Sequence, residues 1–374
     1  MTEPPPTVPP AGRKFPCVQC GARLDFDPRA RGLVCPYCGH LEVVVTDAGG
    51  VLERDYLDAL GRADAKSKAI PGHGTETKCA GCGAVVVLDD AVAADASPFC
   101  TTHLETAPAA ASGLLPPESL IPFAVDLRGA REAFGAWIAS RWFAPTQLKT
   151  VLALGRLVGV YLPYWTYDSA TDTQYEGERG DDYQETQHYT QTLANGDTET
   201  RSRTVTRTRW TPAAGDVSRA FDDVLVPATA SLTPARLDGL GEYALRKLRP
   251  FDAAYLSGFQ AERYAIDLKA GFQRAKDAMQ PGIVRAVEGD IGGDHQRVHN
   301  RRTRYSAITF KHLLLPAWVA AYRYNGKVYQ VTVNGQTGLV AGERPWSLPK
   351  LAAATVAVLL LAALVAAAVL ALNR

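Results

Sequence analysis

The stretch CVQCGARLDFDPRARGLVCPYCGH, residues 17–40, decides the fold of the N-terminal part of the chain. It holds two Cys-x-x-Cys pairs separated by 14 residues, which is the spacing of a four-cysteine zinc ribbon. Two residues between the thiolates let one tight turn present both sulfurs to a single ion. A glycine, which permits a left-handed backbone, follows each pair. The pattern predicts a zinc ribbon over residues 15–47 with the ligands Cys17, Cys20, Cys35 and Cys38.

A second cluster of ligand residues lies within residues 78–106. Cys79 and Cys82 form another Cys-x-x-Cys pair, and Cys100-Thr-Thr-His103 offers a cysteine and a histidine at the same offset. The spacing predicts a second ribbon with the ligands Cys79, Cys82, Cys100 and His103. Seven cysteines and one histidine then fill two tetrahedral shells, so both Zn²⁺ ions are expected to be structural. Redox pairs or buried free thiols are the disfavoured alternative.

Composition places the chain among folded, multidomain proteins of a reducing compartment. It has 374 residues, 47% of them hydrophobic and 21% charged, with a formal net charge of +1. No global positive field therefore draws it to nucleic acid or to anionic lipid. The first residues, MTEPPPTVPP, are Pro-rich and unlike a signal peptide. The cysteines are accordingly interpreted as reduced metal ligands.

The C-terminal residues Leu351 to Leu372 are uncharged, and Thr355 is their only polar side chain. At about 1.5 Å per residue they extend over roughly 33 Å, which matches a bilayer core of about 30 Å. Lys350, Arg344 and Trp346 lie just before them, and the positive-inside tendency puts this end in the cytoplasm. The stretch predicts a single-pass tail anchor, with the soluble region in the cytoplasm.

The predicted fold class is α+β, with two N-terminal ribbons, a mixed body and one transmembrane helix. The expected domains are 1–14 disordered, 15–47 ribbon one, 48–77 helix and linker, 78–106 ribbon two, 107–120 Pro/Ala-rich linker, 121–349 α+β body, and 350–374 anchor. Within the body, Leu162-Pro163-Tyr164-Trp165 and Leu315-Pro316-Ala317-Trp318 echo each other. A duplicated β-unit and chance similarity both explain this echo.

Several arginines are candidate contacts for an anion or a partner. Arg201, Arg203, Arg207 and Arg209 share one parity, so a strand would put all four on one face. Such a strip could grip phosphate or lipid headgroups. Cross-strand pairing with the acidic residues of YEGERGDDYQE is the favoured alternative.

A second arginine-rich stretch, DIGGDHQRVHNRRTR, adds Arg301 and Arg302 as candidate contacts. Its Asp290, Asp294, His295 and His299 suggest a third metal site. The glycine pair Gly292-Gly293 argues against the helix that would present these side chains together.

No sequence motif for enzymatic chemistry is present. The chain lacks the G-x-x-x-x-G-K-[ST] phosphate loop, H-E-x-x-H and G-x-S-x-G. All cysteines are assigned to metal, which removes a thiol nucleophile. The sequence therefore predicts a protein that is not an enzyme and has no evident small-molecule substrate.

The paired ribbons, the segments LIPFAVD, WFAP, GVYLPYW, YEGERG, FDDVLV, DIGGD, KHLLLPAW and VNGQTG, and the C-terminal span together carry a family resemblance. The chain resembles bacterial zinc-ribbon membrane proteins often labelled primosomal protein N-prime (replication factor Y), superfamily II helicase or TFIIB-type zinc-ribbon protein. The family usually has a fourth cysteine where His103 stands. The helicase label conflicts with the missing phosphate loop.

The resemblance also implies a cellular role. Relatives look like membrane partners of SPFH-domain and phage-shock-protein-A-like proteins, which implies anchoring in membrane-stress assemblies. The leading hypothesis is an adaptor that recruits soluble proteins to the membrane. The alternative is a nucleic-acid-binding, replication-associated ribbon protein without its own motor.

Overall fold

The computed structural model describes residues 15–44, 50–63, 75–88, 96–100, 102, 115–141, 143, 145, 157–192, 197–324, 327–343 and 347–372. The predicted mixture of helices and sheets is confirmed. The strands are β1 (Asp25–Asp27), β2 (Gly32–Val34), β3 (Leu41–Val43), β4 (Arg54–Asp55), β5 (Thr75–Lys78), β6 (Val85–Leu88), β7 (Ser119–Leu120), β8 (Val158–Thr192), β9 (Thr198–Pro227), β10 (Arg249–Pro250), β11 (Gln260–Glu262), β12 (His295–Tyr324), β13 (Lys327–Asn334) and β14 (Val340–Gly342). The α-helices are α1 (Tyr56–Ala63), α2 (Leu127–Ala139), α3 (Pro234–Gly239), α4 (Leu268–Ile291) and α5 (Leu348–Leu372). The residues predicted to be disordered, 1–14, lie outside the described part.

Three long strands form the centre of the body. β8 pairs antiparallel with β12 on one side and with β9 on the other. The β8 segment that contains GVYLPYWTY is buried on both faces, because helices, loops and the cysteine-rich segments cover the sheet from both sides. The aromatic side chains of this segment are buried. Trp165 and Tyr167 also donate hydrogen bonds to the carbonyls of Ile266 and Leu268, at 2.9 and 2.7 Å.

The two echoing segments are neighbours in this sheet. Leu162 of β8 lies directly opposite Leu315 of β12 in the antiparallel register. A Gly-Glu-Arg triplet follows each segment, at residues 177–179 and 342–344, but Gly177 belongs to β8 itself whereas Gly342 ends the separate strand β14. The duplicated β-unit therefore stays a prediction.

Both cysteine-rich segments pack into the body. β1, β2 and β3 form a small antiparallel sheet whose Leu24, Phe26 and Leu33 belong to the same hydrophobic core as Tyr161 and Phe259. β5 and β6 of the second segment join the large sheet, because β6 pairs antiparallel with β11. The first segment thus shares a hydrophobic core with the body, and the second segment shares its sheet.

The end of the predicted Pro/Ala-rich linker also belongs to the body. β7, at residues 119–120, runs parallel to β12, and Glu118 accepts a hydrogen bond from the backbone N–H of His312 at 2.5 Å. Residues 107–114 lie outside the described part. Apolar Leu120 and Ile121, both buried, explain why the chain enters the sheet here.

The C-terminal helix α5 stands apart from every core cluster of the described residues. Residues Leu348–Val369 have a mean hydropathy of 2.6, none of the most apolar stretch is buried, and the length and composition suffice to cross a membrane. The hydroxyl of Thr355 donates to the carbonyl of Leu351 at 3.0 Å, so the polar side chain is satisfied inside the helix. The predicted flanking residues Arg344 and Trp346 lie outside the described part.

A two-stranded arm projects from the large sheet. β12 ends its pairing with β8 at His295 opposite Gly180, whereas β8 and β9 continue to pair out to Thr192 and Thr198. The arm, residues 181–192 and 198–211, has a length of roughly 40 Å at about 3.3 Å per residue. Its side chains are mostly exposed.

Candidate metal centre

The first cysteine cluster is built from two turns of the same geometry. The backbone N–H of Cys17 donates to the carbonyl of Ala22 at 2.6 Å, and that of Cys35 donates to His40 at 2.8 Å. Gly21 and Gly39 then donate back to Cys17 and Cys35. These glycines have φ values of +70° and +74°, which explains why glycine follows each pair.

The sulfur atoms of this cluster fit a tetrahedral ion. Cys17 Sγ lies 3.6 Å from Cys38 Sγ, and Cys20 Sγ lies 3.5 Å from Cys35 Sγ. All four sulfurs are within 4.8 Å of one another. Thiolates about 2.3 Å from a tetrahedral zinc are separated by roughly 3.8 Å, whereas a disulfide needs about 2.05 Å. The four cysteines therefore suit a bound metal ion, as the sequence predicts.

The second cluster repeats this geometry with one replacement. The backbone N–H of Cys79 donates to Ala84 at 2.8 Å, and Ser97 donates to Thr102, also at 2.8 Å. Cys79 Sγ lies 3.4 Å from Cys100 Sγ, and this pair corresponds to Cys17 and Cys38 of the first cluster. Cys82 Sγ lies 3.6 Å from Ser97 Oγ, and this pair corresponds to Cys20 and Cys35 of the first cluster. Ser97 thus begins the fourth turn and Cys100 ends it.

This assignment differs from the one expected from spacing. Cys100 was expected to open a half-site completed by His103, whereas the structure makes it the closing residue of a half-site opened by Ser97. His103 lies outside the described residues, and its role stays a prediction. The sequence contains a signal for this turn. Ser97-Pro-Phe-Cys100 aligns with Cys35-Pro-Tyr-Cys38, and 14 residues separate each of these segments from the preceding Cys-x-x-Cys pair.

The thiols within each cluster differ in acidity. In the first cluster the backbone N–H of Cys38 lowers the pKa of the Cys35 thiol to about 6, while burial raises the pKa of Cys38 to about 12. In the second cluster hydrogen bonds from Thr102 lower the pKa of Cys100 to about 7, while burial raises the pKa of Cys82 to about 12. Metal ligation requires thiolates, so binding at these clusters releases protons and weakens as the pH falls.

The four arginines of β9 lie on one face of the projecting arm, as parity predicts. Arg207 pairs with Glu185, and Arg201 lies 3.1 Å from Glu199. Arg203 and Arg209 lie over the rings of Tyr189 and Tyr183. Residues 181–211 carry five carboxylates and four guanidiniums, so the arm has no net positive charge. Only the contact of Arg207 with Glu185 is the cross-strand ion pair of the favoured alternative, and the role of the four arginines as anion or partner contacts stays a prediction.

The stretch around Asp290 does not converge on one point. Asp290 accepts a hydrogen bond from Tyr175 at 2.6 Å, and Asp294 accepts the backbone N–H of Asp182 at 2.8 Å. His295 and His299 pair with Asp182 and Glu178, at 3.0 and 3.4 Å. Because each side chain has its own partner, the hypothesis of a third metal site here loses its basis.

Arg301 and Arg302 do not extend the arginine strip. They are consecutive residues of β12, so their side chains point to opposite faces of the sheet. Arg301 lies opposite Tyr175 of β8, whereas Arg209 lies opposite Asp181, six residues further along the same strand. That offset corresponds to roughly 20 Å along the sheet.

One further group of ionisable side chains lies where the long strands are irregular. The pairing shifts register near Ser169 and near Thr309, where Asp223 and Ala307 have φ values of +51° and +48°. Carboxylates of Glu53, Asp168 and Asp222 approach within 4.8 Å of one another. The Lys311 ammonium contacts Glu53 at 3.0 Å and Asp223 at 2.7 Å, and so offsets their charge.

Comparison with known proteins gives one bacterial relative. The chain is similar to the uncharacterized protein YdjG of Bacillus subtilis (strain 168), with 26% identity over 245 residues, 65% of this chain and 67% of that protein. No model of a protein family matches the chain. No solved structure matches it either.

Proposed function

We propose that this protein is a membrane-anchored zinc-ribbon adaptor, not an enzyme, that recruits a soluble protein to the cytoplasmic face of a bacterial inner membrane. The observation that carries the proposal is the C-terminal helix. Its side chains are exposed along its length, among them Leu359, Leu360 and Leu364 at 62 to 68% exposure. An apolar helix with no protein cover needs another apolar environment, and a bilayer supplies one.

The cysteine clusters support the second part of the proposal. Each places its ligands for one metal ion, and Zn²⁺ is the ion that tetrahedral sulfur-rich sites favour. Their hydrophobic residues continue into the body core, so bound zinc would hold the N-terminal segments against the body. Reduced thiols in this number also favour the cytoplasmic side.

The projecting arm supplies a surface for a partner. Its two strands extend beyond the hydrophobic core and present arginine, tyrosine and acidic side chains on one face. The opposite face carries small threonines such as Thr200 and Thr204. Tyrosine and arginine are enriched at protein interfaces, and mixed charge favours a protein partner over a phosphate backbone. The family resemblance suggests an SPFH-domain or phage-shock-A-like protein as that partner.

Affinity purification of the detergent-solubilised full chain tests this function. We expect an SPFH-domain or phage-shock-A-like protein to copurify. It should be lost when Arg201→Glu and Arg203→Glu are combined, and also when Cys20→Ser and Cys38→Ser are combined. Thr200→Glu with Thr204→Glu adds charge to the other face of the arm and should retain the partner.

Two outcomes would contradict the adaptor. One is that no protein of either type copurifies from cells that express it. The other is that the arginine variants instead abolish a salt-sensitive association with nucleic acid, which would favour the nucleic-acid-binding alternative.

A further inference from the structure

We infer that the second cysteine cluster is an exchangeable three-thiolate metal site, in which Ser97 stands in the position of the fourth ligand and leaves one coordination position open to solvent. The inference rests on the metal binding included in the proposed function. It concerns how the two clusters differ. The first would be a closed site and the second an open one.

The equivalence of Ser97 and Cys35 comes from four separate relations. Both residues are 15 positions beyond the neighbouring ligand, Cys82 or Cys20, and three before the last cysteine of the cluster. Both donate their backbone N–H to the residue five positions later. Both lie opposite a sulfur at nearly the same distance, 3.6 Å for Ser97 and 3.5 Å for Cys35. Both are buried, at 2% and 1% exposure.

The exchange of sulfur for oxygen changes the chemistry at this position. A thiolate is an anionic, soft ligand that binds zinc strongly, whereas a serine hydroxyl is neutral near pH 7. Ser97 also accepts a hydrogen bond from the backbone N–H of Phe99 at 3.3 Å. Three thiolates with a weak fourth donor resemble the ligand count of zinc sites that keep a water molecule.

Solvent can reach the cluster. Cys82 and Cys100 are partly exposed, whereas Cys79 is buried at 1% exposure. Cys20 and Cys38 of the first cluster are exposed as well, so the two clusters differ in their ligands and not in solvent access. Thr102 Oγ1 lies 3.2 Å from Cys100 Sγ, which adds a second hydroxyl beside the sulfurs. Loss of a supporting hydrogen bond already weakens metal sites about 10- to 100-fold. The loss of a ligand should cost at least as much, so we expect the second ion to leave at least about tenfold faster.

Zinc release from the full chain in detergent tests the inference. The protein is loaded with Zn²⁺ and mixed with excess chromogenic chelator. One zinc per chain should leave fast and one slowly. Ser97→Cys completes the second set of four cysteines and should convert the fast phase into a slow one. The reciprocal variant Cys35→Ser should make the slow ion leave fast, and His103→Ala should change neither phase.

Cobalt substitution gives an independent spectroscopic measurement. Sulfur-to-Co²⁺ charge-transfer absorption grows with the number of thiolate ligands. Ser97→Cys should therefore raise this absorption by one thiolate, from seven to eight per chain. His103→Ala should leave it unchanged and should leave the ligand-field bands of Co²⁺ unchanged as well.

The results that would overturn the inference are distinct from those that would remove its premise. Two equally slow zinc ions in the wild-type chain, unaffected by Ser97→Cys, would contradict the open site while leaving the adaptor intact. Faster release in His103→Ala would assign the fourth ligand to His103 instead. A wild-type chain that binds no zinc at all would contradict the metal-binding part of the proposed function.

Discussion

At the scale of single residues, Gly159 shows how tightly the body core is packed. A Cβ atom at this position would lie 2.4 Å from Cδ1 of Phe259, whose ring stacks on Phe123 with centroids 4.1 Å apart. Because this ring cannot move aside, Gly159→Ala should lower the free energy of unfolding by about 1–3 kcal/mol. Urea titration followed by tryptophan fluorescence measures it. Gly289→Ala, in open space on α4, is the control and should be neutral or stabilising.

Glu262 should make the stability of the fold depend on pH. Burial raises its pKa to about 7, although Ser231 and Thr229 donate hydrogen bonds to it. A raised pKa means that the folded state holds the proton more tightly, so stability falls as the pH rises from about 4.5 to 7. Glu262→Gln removes that loss. The free energy of unfolding of the variant minus that of wild type should increase with pH, by at most about 1.4 kcal/mol per pH unit between about 4.5 and 7, and should stay constant above about pH 7.

The measurement is a series of urea titrations of both proteins at pH 5, 6, 7 and 8. Subtracting wild type from variant cancels the other titrating groups, including Glu118, whose pKa burial also raises to about 7. A difference that does not vary with pH would rule out the buried, proton-holding carboxyl.

At the scale of elements, α4 depends on its N-terminal cap. The side chain of Asp267 accepts the backbone N–H of Ala270 at 2.7 Å, and the helix packs its Phe272 and Met279 against the core. Asp267→Ala should cost about 1 kcal/mol, whereas Asp267→Asn keeps the acceptor and should cost less. Thermal unfolding of the two variants compares them. Equal losses would assign the role of Asp267 to its charge and not to the cap.

The elements also show where sequence patterns sufficed. The apolar stripe of Ala130, Phe134 and Ile138 becomes the buried face of the helix Leu127–Ala139, and both this period and the Asp126 cap are local signals that a sequence carries. The apolar C-terminal stretch likewise forms a helix. The great length of β8 and β9 was not predicted, because their outer halves are polar on both faces and lack the alternation that marks a half-buried strand.

Part of the candidate metal centre was predictable and part was not. Three Cys-x-x-Cys pairs identified six candidate metal ligands by spacing alone, and the structure brings these six together in two clusters. The turn that begins at Ser97 was not predicted, because serine is not a recognised ligand type and only comparison with Cys35-Pro-Tyr-Cys38 reveals it; the ligand role of His103 stays a prediction. The insertion of β6 beside β11 was also hidden, since pairing between distant strands leaves no local signal.

At the scale of the whole molecule, the metal clusters should stabilise the body core as well as the cysteine-rich segments. Leu24 and Phe26 of the first cluster segment pack in the core that holds Tyr161, and Ser257 donates a hydrogen bond to the Leu24 carbonyl at 2.6 Å. If zinc removal unfolds this segment, that core loses part of its cover. We expect several kcal/mol of destabilisation of the body, from about 2 kcal/mol or more for each large apolar side chain withdrawn.

Guanidinium titration of the full chain in detergent, with and without a strong chelator, checks this coupling through tryptophan emission from the body. Restoring Zn²⁺ should restore the original curve. If the chelator does not change the unfolding transition of the body, the clusters fold independently of the core.

The central claim is that one chain joins metal-held N-terminal segments to a membrane anchor. Flotation of the full chain with lipid vesicles, followed by zinc analysis of the floated fraction, tests both halves in one sample. We predict that the chain floats with two zinc ions in zinc-containing buffer and retains one after a brief chelator wash. A chain that stays with the soluble proteins, or that floats without zinc, would contradict the claim.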